Sequence, residues 1–507
     1  MIADHQKLHF FKNGVSIKTP FCLIAYICHM SSSSTYEAVI GLEVHIQLQT
    51  DSKLFCGDSA SFGGEPNTHI SPVTMAHPGT LPVLNKKAVE YAVRLGVALG
   101  CDITRHSFFD RKHYFYPDLP KAYQTSQMLY PICMGGQLKI NTGATVLIHH
   151  IHLEEDAGKS IHDAHEDYTC IDLNRAGVPL LELVTDPVIR SADEAFAFLT
   201  ELRKLVRWLG ICDGNMEEGS LRCDANISIR PVGEAKLGTK VEVKNLNSIR
   251  NVKRAIEGEI LRQTSLVEKG EKIIQQTRGY DADTNTTAPQ RDKEEANDYR
   301  YFPCPDLPPF EVSDSYLDEI KAALPELPEQ LVEKYTAVLQ LPEQDAKVLT
   351  EEKALSDYFN QLIKETLHTK AAANWMLGPV KSWLNEKNTT MEQWPVTAQS
   401  LAGLIELVQS GKVNFSTASG KILPALIQQP ISDPLALAIS LNLLQSSNED
   451  ELEAWVNDVI TNMPEKVQEY KKGKKGLIGL FVGEVKKRSN GKANPQKVTA
   501  LLQEKLR

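Results

Sequence analysis

Hydrophobic and polar residues alternate along several segments between Tyr36 and about Phe310, and glycine- and proline-rich turns separate these segments. A period of two is typical of β-strands with one buried face. Helical spacing interrupts this region at Lys86–Leu99 and Ala192–Leu209, where Ser191 or Asp193 would cap the second helix. The pattern therefore predicts an α+β domain that is rich in antiparallel sheet and contains two helices.

The pattern becomes helical after the proline-rich segment Tyr301–Phe310. Two segments, Leu324–Gln330 and Leu341–Ala346, each place a proline in a first helical turn before acidic residues, which suits the helix dipole. An acidic linker over Ser446–Glu453 is expected to lead into a basic tail. The expected parts are a disordered extension at 1–35, the α+β domain at 36–315, an all-helical domain at 316–440 and a small helical tail domain at 441–507.

Composition indicates a folded multidomain protein with an uneven charge. The chain has 507 residues, of which 42% are hydrophobic and 24% charged, so it can bury more than one core. Residues 466–507 contain twelve Lys/Arg and three Glu, a net charge of +9. Since the whole chain carries −10, the remainder carries −19. The two ends of the molecule are therefore expected to bind different partners.

Cysteine usage favours a reducing, cytoplasmic location. The nine cysteines are odd in number and include no C-x-x-C pair, which argues against a disulfide framework and a thiolate zinc site. The apolar run Phe21–Cys28 is far shorter than the ~20 residues needed to cross a bilayer. It could form a signal-peptide core, but nothing downstream looks secreted. We therefore interpret residues 1–29 either as an extension outside the fold or as a segment that is not translated.

The clearest strand places a carboxylate beside an imidazole. From Val39 to Leu48, every second residue is aliphatic, whereas Glu43, His45 and Gln47 occupy the other face. Side chains at i and i+2 lie ~7 Å apart, close enough to bind one metal ion. A solvated polar face is the alternative interpretation.

Further carboxylates occur where a strand should be apolar. Glu182 lies inside Val178–Val184, and Glu154-Glu155-Asp156 closes the run from Val146 to Leu153. A buried ionised carboxylate is costly unless a cation or a donor compensates it. Oxygen ligands with one histidine suit Mg²⁺ or Mn²⁺ better than zinc. The triplet His149, His150 and His152 also resembles a metal site, although a polar strand face explains the first two.

Three other segments could bind a polyanion. Ser220–Arg230 and Lys240–Asn247 have faces of Arg, Lys and Asn that suit phosphates, although cross-strand charge pairs would explain them too. Asp110–Gln124 mixes three cations with four aromatic residues, which suits stacking on a nucleobase or a structural aromatic cluster. Asp156–Ser160 ends like a P-loop but lacks the first glycine, so a Walker loop is not predicted.

Taken together, these segments resemble the family of B subunits of the aspartyl/glutamyl-tRNA(Asn/Gln) amidotransferases, over roughly Tyr36 to Arg507. The matching segments are Ile40–His45, Asp110–Asp118, Leu153–Ser160, Asp172–Pro179, Met216–Asn226, Lys244–Asn247, Asp298–Pro303, Gly476–Lys486 and Gly491–Pro495.

The resemblance implies a cradle-like catalytic domain, a helical domain and a basic tail that helps to hold tRNA. It also implies a heterotrimer in which an amidase-type A subunit releases ammonia from glutamine and a small C subunit wraps the A–B interface. The B subunit would use ATP and Mg²⁺ to phosphorylate the side-chain carboxylate of Glu-tRNA(Gln), Asp-tRNA(Asn) or both. Ammonia would then displace the phosphate.

The resemblance also implies roles for individual residues. The catalytic set would be Glu43, His45 and Glu182, and the Mg²⁺ ligands would be Glu43, His45, Glu154, Glu155 and Glu182. Contacts to ATP or to the acyl acceptor would come from Lys112, Tyr116, Tyr123, Asn174, Arg175 and Arg222. The tRNA-binding lysines would be Lys471, Lys472, Lys474, Lys475, Lys486 and Lys487.

One departure from the family pattern concerns zinc. Many relatives carry C-x-C followed by C-P-x-C, a structural zinc site, whereas this chain has Cys56, Asp58, Ser71 and Thr74 at the four positions. No structural zinc is therefore expected.

Two other functions compete with this interpretation. A non-catalytic RNA-binding scaffold would share the basic tail but has no use for Glu43, His45 and Glu182 on apolar strands. A metal-dependent hydrolase of a phosphorylated small molecule has no use for the lysine-rich C terminus. The archaeal Glu-tRNA(Gln)-specific E-type subunit is a cousin whose large inserted domain this length cannot accommodate.

Overall fold

The computed structural model describes residues 35–162, 167–292, 299–430, 432–445, 449–489 and 492–507. The expected extension at 1–35 lies outside these ranges except for Thr35, as do Asp298 and residues 446–448 of the expected linker. The chain forms two compact units. The first comprises Met1–Glu201 and Asn215–Val312, and the second comprises Leu202–Gly214 and Ser313–Arg507.

The first unit is built on a ten-stranded sheet. A domain rich in sheet is what the alternating pattern predicted. Its strands are β1 (Tyr36–Gln47), β2 (Asp102–Ile103), β6 (Cys133–Met134), β7 (Gln137–Lys139), β8 (Thr145–Glu155), β11 (Pro179–Thr185), β12 (Leu221–Pro231), β13 (Val241–Lys244), β14 (Gln276–Asp281) and β15 (Thr286–Asp292). The order is β15-β14-β13-β12-β1-β11-β8-β6-β2, and β7 pairs with β8. Every pair is antiparallel except β13 with β14.

Smaller sheets complete this unit. They pair β9 (Lys159–Ile161) with β10 (Cys170–Asp172), β4 (Asp110–His113) with β5 (Tyr123–Ser126) and β16 (Phe302–Pro303), and β3 (His106–Ser107) with β17 (Phe310–Glu311). The antiparallel-rich α+β class predicted from the sequence is thus confirmed.

The alternation in β1 determines which side chains the central strand presents. Ile40, Leu42, Val44 and Ile46 are at most 1% exposed, and they fix that face of β1 against the core. Strand β1 lies between β11 and β12, and His45 is opposite Glu182 on one side and Arg222 on the other. The polar face of β1 therefore meets the polar faces of both neighbours.

Two of the three helices in this region follow the prediction. Helix α1 spans Lys86–Ala98 and helix α2 spans Ala192–Trp208, with the Ser191 hydroxyl accepting a hydrogen bond from the backbone N–H of Glu194. The expectation of only two helices was wrong, because α3 spans Ile249–Glu268.

The hydrophobic pattern did not predict helix α3, because polar residues occupy part of its buried face. Besides Val252, Ala255 and Ile256, that face buries Glu259 and Gln263. The Glu259 carboxylate is fully buried and forms ion pairs with Arg262 and Arg278. An apolar stripe broken in this way is weak in the sequence, although the Glu259 carboxylate is compensated in the fold.

The second unit is helical beyond its segment Leu202–Gly214. Its α-helices are Asp314–Ala323, Pro328–Ala337, Glu343–Leu349, Lys353–Glu365, Thr369–Trp375, Lys381–Lys387, Ala398–Gln409, Phe415–Thr417, Leu423–Gln428, Pro434–Ser440, Glu449–Asn462, Pro464–Lys471, Ile478–Arg488 and Pro495–Lys505. Met376–Val380 and Ala418–Ile422 are π-helical, and Met391–Gln393 and Lys475–Leu477 are 3₁₀ turns. None of the helices in the described ranges is long and apolar enough to cross a bilayer.

Helix boundaries in this unit agree with the proline signals but not with the expected linker. Pro328 is the first residue of its helix, and Pro342 directly precedes the next. Residues 449–453, however, belong to the helix Glu449–Asn462. Leu452, Val456 and Val459 of that helix are fully buried in the core of the tail, so their helical spacing outweighs the acidic residues around them.

Candidate active site

Three neighbouring strands assemble a cluster of acids and imidazoles, which we call the first acid cluster. Its members are His45 on β1, Glu182 on β11, and His152 and Glu154 on β8. The pairing places Glu182 directly between His45 and His152. The Glu182 Oε2 atom lies 3.3 Å from His45 Nε2 and 3.5 Å from His152 Nε2, and His152 Nε2 lies 3.2 Å from Glu154 Oε2.

The carboxylates of this cluster need positive charge nearby in order to stay ionised away from water. Burial disfavours the charged forms, yet Glu182 and Glu154 raise the pKa of His152 to about 10. In turn, His152 and His45 hold the pKa of Glu182 well below its usual value despite its burial. The imidazoles thus supply the positive charge that the carboxylates need in a low-dielectric site.

The first acid cluster fits a divalent cation. Ligand atoms of His45, Glu154 and Glu182 all lie within 4.8 Å of one another. Two carboxylates and one imidazole form a donor set that Mg²⁺ and Mn²⁺ accept. The Nδ1 atom of His152, which is buried, has no hydrogen-bond partner among the described residues, so a polar ligand or water is expected there.

A second acid cluster lies beside the first, on β1, β12 and β13. It contains Glu43, Asp224 and Glu242, whose ligand atoms also lie within 4.8 Å of one another. The Lys244 ammonium contacts this cluster, with Nζ 2.6 Å from Asp224 Oδ2 and 3.2 Å from Glu242 Oε1. Burial and the nearby charge of Glu182 raise the pKa of Glu43 to about 7, and a hydrogen bond joins the Glu43 and Glu182 carboxyl groups. Glu43 therefore connects the two clusters.

Asp224 and Glu242 were not predicted to belong to a metal site. Both lie in the segments Ser220–Arg230 and Lys240–Asn247, which were interpreted only as polar strand faces. The signal that could have found them is their i, i+2 alternation on two successive strands, combined with the pairing of β12 with β1. Pairing brings Asp224 opposite Glu43 and Glu242 opposite Asn226.

Glu155 is the predicted metal ligand that the structure does not bring to either cluster. It follows Glu154 on β8, and successive residues of a strand point to opposite faces. Its Oε1 atom accepts hydrogen bonds from the Lys121 ammonium and from the backbone N–H of Thr125, the latter at 2.8 Å. With Tyr123, it lines a cavity of about 280 Å³.

The predicted ATP or acceptor contacts fall into three places. Lys112 and Tyr116 line an aromatic cavity of about 810 Å³ that also contains Tyr114, Phe115 and Tyr299. The Lys112 ammonium is attracted by Glu154 and Glu182, which raise its pKa against the effect of burial. Tyr123 lies elsewhere, with the Arg111 guanidinium 4.3 Å from its ring centroid.

Asn174, Arg175 and Arg222 line a polar cavity of about 800 Å³ that reaches His45 and Asp224. Arg175 donates to two backbone oxygens, those of Ala157 at 2.9 Å and Gly158 at 2.7 Å. The Nη2 atom of Arg222 lies 2.8 Å from Asp156 Oδ2, whereas its buried Nε has no partner among the described residues. The Arg222 side chain is 36% exposed and lines this cavity, so its guanidinium can contact a ligand there.

Three of the four positions of the family's zinc motif, Cys56, Asp58 and Thr74, form a hydrogen-bonded group in this chain. The Asp58 carboxylate accepts hydrogen bonds from the Thr74 hydroxyl and, at 3.3 Å, from the Cys56 thiol. The thiol has a raised pKa, chiefly because of burial. Hydrogen bonding thus connects positions that are far apart in the sequence.

All six predicted tRNA-binding lysines are exposed on the tail. Lys474 pairs with Glu469, and the Lys475 ammonium lies 4.4 Å from the Tyr470 ring centroid. The other four are Lys471, Lys472, Lys486 and Lys487. The last two lie in the final turn of the helix Ile478–Arg488.

Known proteins match nearly all of the described chain. The family model of the GatB/GatE catalytic domain matches residues 38–318, and that of the GatB domain matches residues 357–506. The aspartyl/glutamyl-tRNA(Asn/Gln) amidotransferase B subunit of Thermodesulfovibrio yellowstonii is 47% identical over 479 residues, 92% of this chain and 98% of that protein. Its namesakes from Nitratidesulfovibrio vulgaris and Chlorobium chlorochromatii are each 48% identical over 93% of this chain and 99–100% of their own length.

Proposed function

Because the chain belongs to the family of aspartyl/glutamyl-tRNA(Asn/Gln) amidotransferase B subunits, we propose that it activates a misacylated tRNA for amidation. The substrate is Glu-tRNA(Gln), Asp-tRNA(Asn) or both. A side-chain carboxylate oxygen attacks the γ-phosphorus of ATP, and ADP leaves. Ammonia then attacks the carbonyl carbon of this side-chain acyl phosphate, and inorganic phosphate leaves as the amide forms. The observation that carries this proposal is the pair of linked acid clusters, together with Lys244, which contacts the second cluster and lines both the polar and the aromatic cavity.

The acid clusters have the donor sets that phosphoryl transfer requires. His45, Glu154 and Glu182 would hold one Mg²⁺, and Glu43, Asp224 and Glu242 would hold a second cation. When bound, such ions offset the charge on the transferring phosphoryl group. For the second cation to bind, Glu43 must release its proton and Lys244 must give up part of its contact with Asp224 and Glu242.

Cationic side chains reduce the repulsion between the two anions that must react. The substrate carboxylate and the γ-phosphate must come within bonding distance although both are negative. Lys112, which is attracted by Glu154 and Glu182, and Arg222, which lines the polar cavity, can neutralise and orient these groups. A carboxylate is already nucleophilic, so this step needs positioning and charge compensation more than a strong base.

Partners follow from the same proposal. The name of the relatives designates a B subunit, which supports a multi-subunit enzyme. An amidase-type A subunit would supply ammonia from glutamine in the cytoplasm, and a small C subunit would stabilise the A–B contact. The exposed lysines of the tail, Lys471, Lys472, Lys474, Lys475, Lys486 and Lys487, would bind tRNA phosphates. The reaction uses ATP and Mg²⁺ and involves no membrane.

The proposal is tested by co-expressing the chain with candidate A and C subunits and supplying ATP, Mg²⁺ and glutamine. Amide formation is then measured separately on Glu-tRNA(Gln) and Asp-tRNA(Asn). Glu182→Gln should abolish the product, whereas Glu37→Gln is the matched control, because Glu37 lies on β1 and pairs with Arg230 outside the clusters. An assembled trimer that amidates neither tRNA would refute the proposal and favour the RNA-binding scaffold.

A further inference from the structure

Strand β8 carries three imidazoles in a row, and two of them belong to neither acid cluster. His149, His150 and His152 lie within four residues of this strand. Exposure falls along the row, since His149 is exposed, His150 is half-buried and His152 is buried. The buried end of the row is the member of the first acid cluster that contacts both Glu154 and Glu182. The other two histidines therefore lie between this cluster and the solvent.

A β-bulge brings the first two imidazoles together. Successive residues of a regular strand point to opposite faces, so His149 and His150 would not be expected to meet. Val184 of β11 is opposite His150, but the next residue of β11 is opposite Ile148. His149 is thus an extra residue, and a bulge of this kind re-aims the side chains beside it. As a result, the Nδ1 atoms of His149 and His150 lie 2.7 Å apart, a hydrogen-bonding distance.

Backbone hydrogen bonds hold the bulge from its other side. The Gly135 N–H donates to the His149 carbonyl at 3.0 Å. The Ile148 N–H donates to the Gly136 carbonyl at 2.9 Å. Gly136 has a φ of +107°, and a Cβ atom there would lie 2.5 Å from the Cys101 sulfur, so the turn that makes these bonds requires glycine. The position of the histidine pair is therefore set by the backbone.

His150 in turn stacks on His152. The two ring centroids are 5.4 Å apart, and the ring planes differ by 16°. Burial and the two neighbouring imidazoles lower the pKa of His150 to about 4, so its ring is neutral near pH 7. A neutral ring adds no charge beside the first acid cluster, so we attribute its effect on His152 to geometry.

Within the described part of the chain, His152 is held by polar contacts at only one of its two ring nitrogens. Its Nε2 atom lies 3.2 Å from Glu154 Oε2 and 3.5 Å from Glu182 Oε2, whereas its buried Nδ1 has no hydrogen-bond partner there. A ring held at one edge can turn about that edge unless another group covers its face. The stacked ring of His150 supplies that cover.

We propose that His150 is a positioning residue of the divalent-cation site, where it acts by stacking on His152, and that His149 positions His150. His152 then holds the Glu154 and Glu182 carboxylates close enough together to share one cation. Neither His149 nor His150 is a metal ligand in this account. The inference rests on the proposed function and deepens it, because it assigns a supporting row of side chains on the bulge of β8 to that site.

Manganese binding to the purified chain tests the inference without turnover. The electron paramagnetic resonance signal of unbound Mn²⁺ gives the dissociation constant, and the relevant site is the one that Glu182→Gln removes. Losing a group that orients a metal site from behind should raise this constant about tenfold in His150→Ala. His150→Phe retains a stacked ring, so its constant should stay within about twofold of the parent value. An unchanged constant in His150→Ala, or an equal loss in His150→Phe, would overturn the inference.

Two further variants complete the titration. Leu147→Ala is the matched control and should bind Mn²⁺ like the parent, because Leu147 lies on β8, is 42% exposed and precedes the bulge. His149 is exposed, so His149→Ala should fold even if the His150 variants do not. Losing its one hydrogen bond should raise the Mn²⁺ dissociation constant about two- to fivefold. An unchanged constant in a folded His149→Ala chain would overturn the role of His149.

Steady-state kinetics of the assembled trimer separate positioning from chemistry. In His150→Ala, the Mg²⁺ concentration for half-maximal amide formation should rise about tenfold, while kcat at saturating Mg²⁺ should stay near the parent value. A fall in kcat that excess Mg²⁺ does not restore would overturn the inference. If the parent trimer forms no amide, the proposed function fails, and the Mn²⁺ titration still decides whether His150 positions the cation site. A parent chain that binds no Mn²⁺ would overturn the inference together with that site.

Discussion

His45 and Glu182 lie directly opposite each other on antiparallel strands, with Nε2 and Oε2 3.3 Å apart. The contact joins the centre of β1 to a carboxylate that has aliphatic neighbours along β11. Because His152 approaches the same Oε2 atom from the other side, two imidazoles share one buried carboxylate. The arrangement stabilises the charge of Glu182, and it also leaves a set of ligand atoms that a divalent cation can occupy.

Glu182 is the residue whose loss should affect metal binding most. Glu182→Gln keeps the shape but removes the charge, so the affinity for Mn²⁺, used as a probe for Mg²⁺, should fall about 100-fold or more. Calorimetric titration of the purified chain measures this. Glu37→Gln, the control on the same strand, should bind Mn²⁺ like the parent. Equal affinity in the Glu182 variant would exclude Glu182 as a ligand.

Glu43 should make the stability of the metal-free chain depend on pH. Its pKa is raised by burial from 4.5 to about 7, so within this interval the folded chain keeps a proton that the unfolded chain has released. Stability falls with pH wherever the folded state binds more protons, so the free energy of unfolding should decrease from pH 4.5 to about 7.

Denaturant unfolding at several pH values measures the Glu43 effect. Glu43→Gln cannot titrate, so its free energy of unfolding should decrease by about 2 kcal/mol less over the same interval. Parallel pH profiles for the parent and the variant would show that Glu43 does not hold the proton. Saturating Mg²⁺ should also reduce the decrease, since a bound cation favours the ionised carboxylate.

The Asp58 group should stabilise the fold without a metal. Asp58→Ala removes the acceptor for the Thr74 hydroxyl and the Cys56 thiol, so the free energy of unfolding should fall by about 1–2 kcal/mol. Elemental analysis of the parent chain should find no stoichiometric zinc. One tightly held zinc per chain would contradict the interpretation of these positions, and so would an unchanged stability in the variant.

The tail lysines should make tRNA binding sensitive to salt. Each neutralised phosphate contributes a slope of about −0.7 to −0.9 to a plot of log affinity against log salt concentration. The double variant Lys486→Ala/Lys487→Ala should reduce the magnitude of the slope by up to about two such units. The matched control is Lys347→Ala, because Lys347 pairs with Glu343 in the helix Glu343–Leu349, outside the tail. A flat salt response in the parent would remove the tail from the binding surface.

The alternation of β1 was predictable because one face of the strand is buried and the other carries charges. The same rule limits what adjacent residues can do together. Glu154 and Glu155 were assigned to one metal site, yet a strand turns them to opposite faces, and the structure places them in different environments. Because successive residues of a strand face opposite sides, the sequence alone indicates that Glu154 and Glu155 belong to different sites.

The second acid cluster could not be identified from periodicity alone. Asp224 and Glu242 meet Glu43 because β12 pairs with β1 on one side and with β13 on the other. The strands β1 and β12 are far apart in the sequence, and the residue pattern of neither strand indicates that they pair. Helix α3 was missed for a different reason. Its buried Glu259 and Gln263 find partners only in the fold, so the apolar stripe was incomplete in the sequence.

The most direct test of the central claim is the fate of the side-chain oxygens of the substrate. We would label the carboxylate of the tRNA-bound glutamate or aspartate with ¹⁸O, allow the trimer to form amide with ATP and glutamine, and analyse the inorganic phosphate by mass spectrometry. The account predicts one ¹⁸O atom in the phosphate released for each amide formed, because the phosphorylated oxygen leaves with the phosphate. Amide formation with unlabelled phosphate would contradict activation through an acyl phosphate.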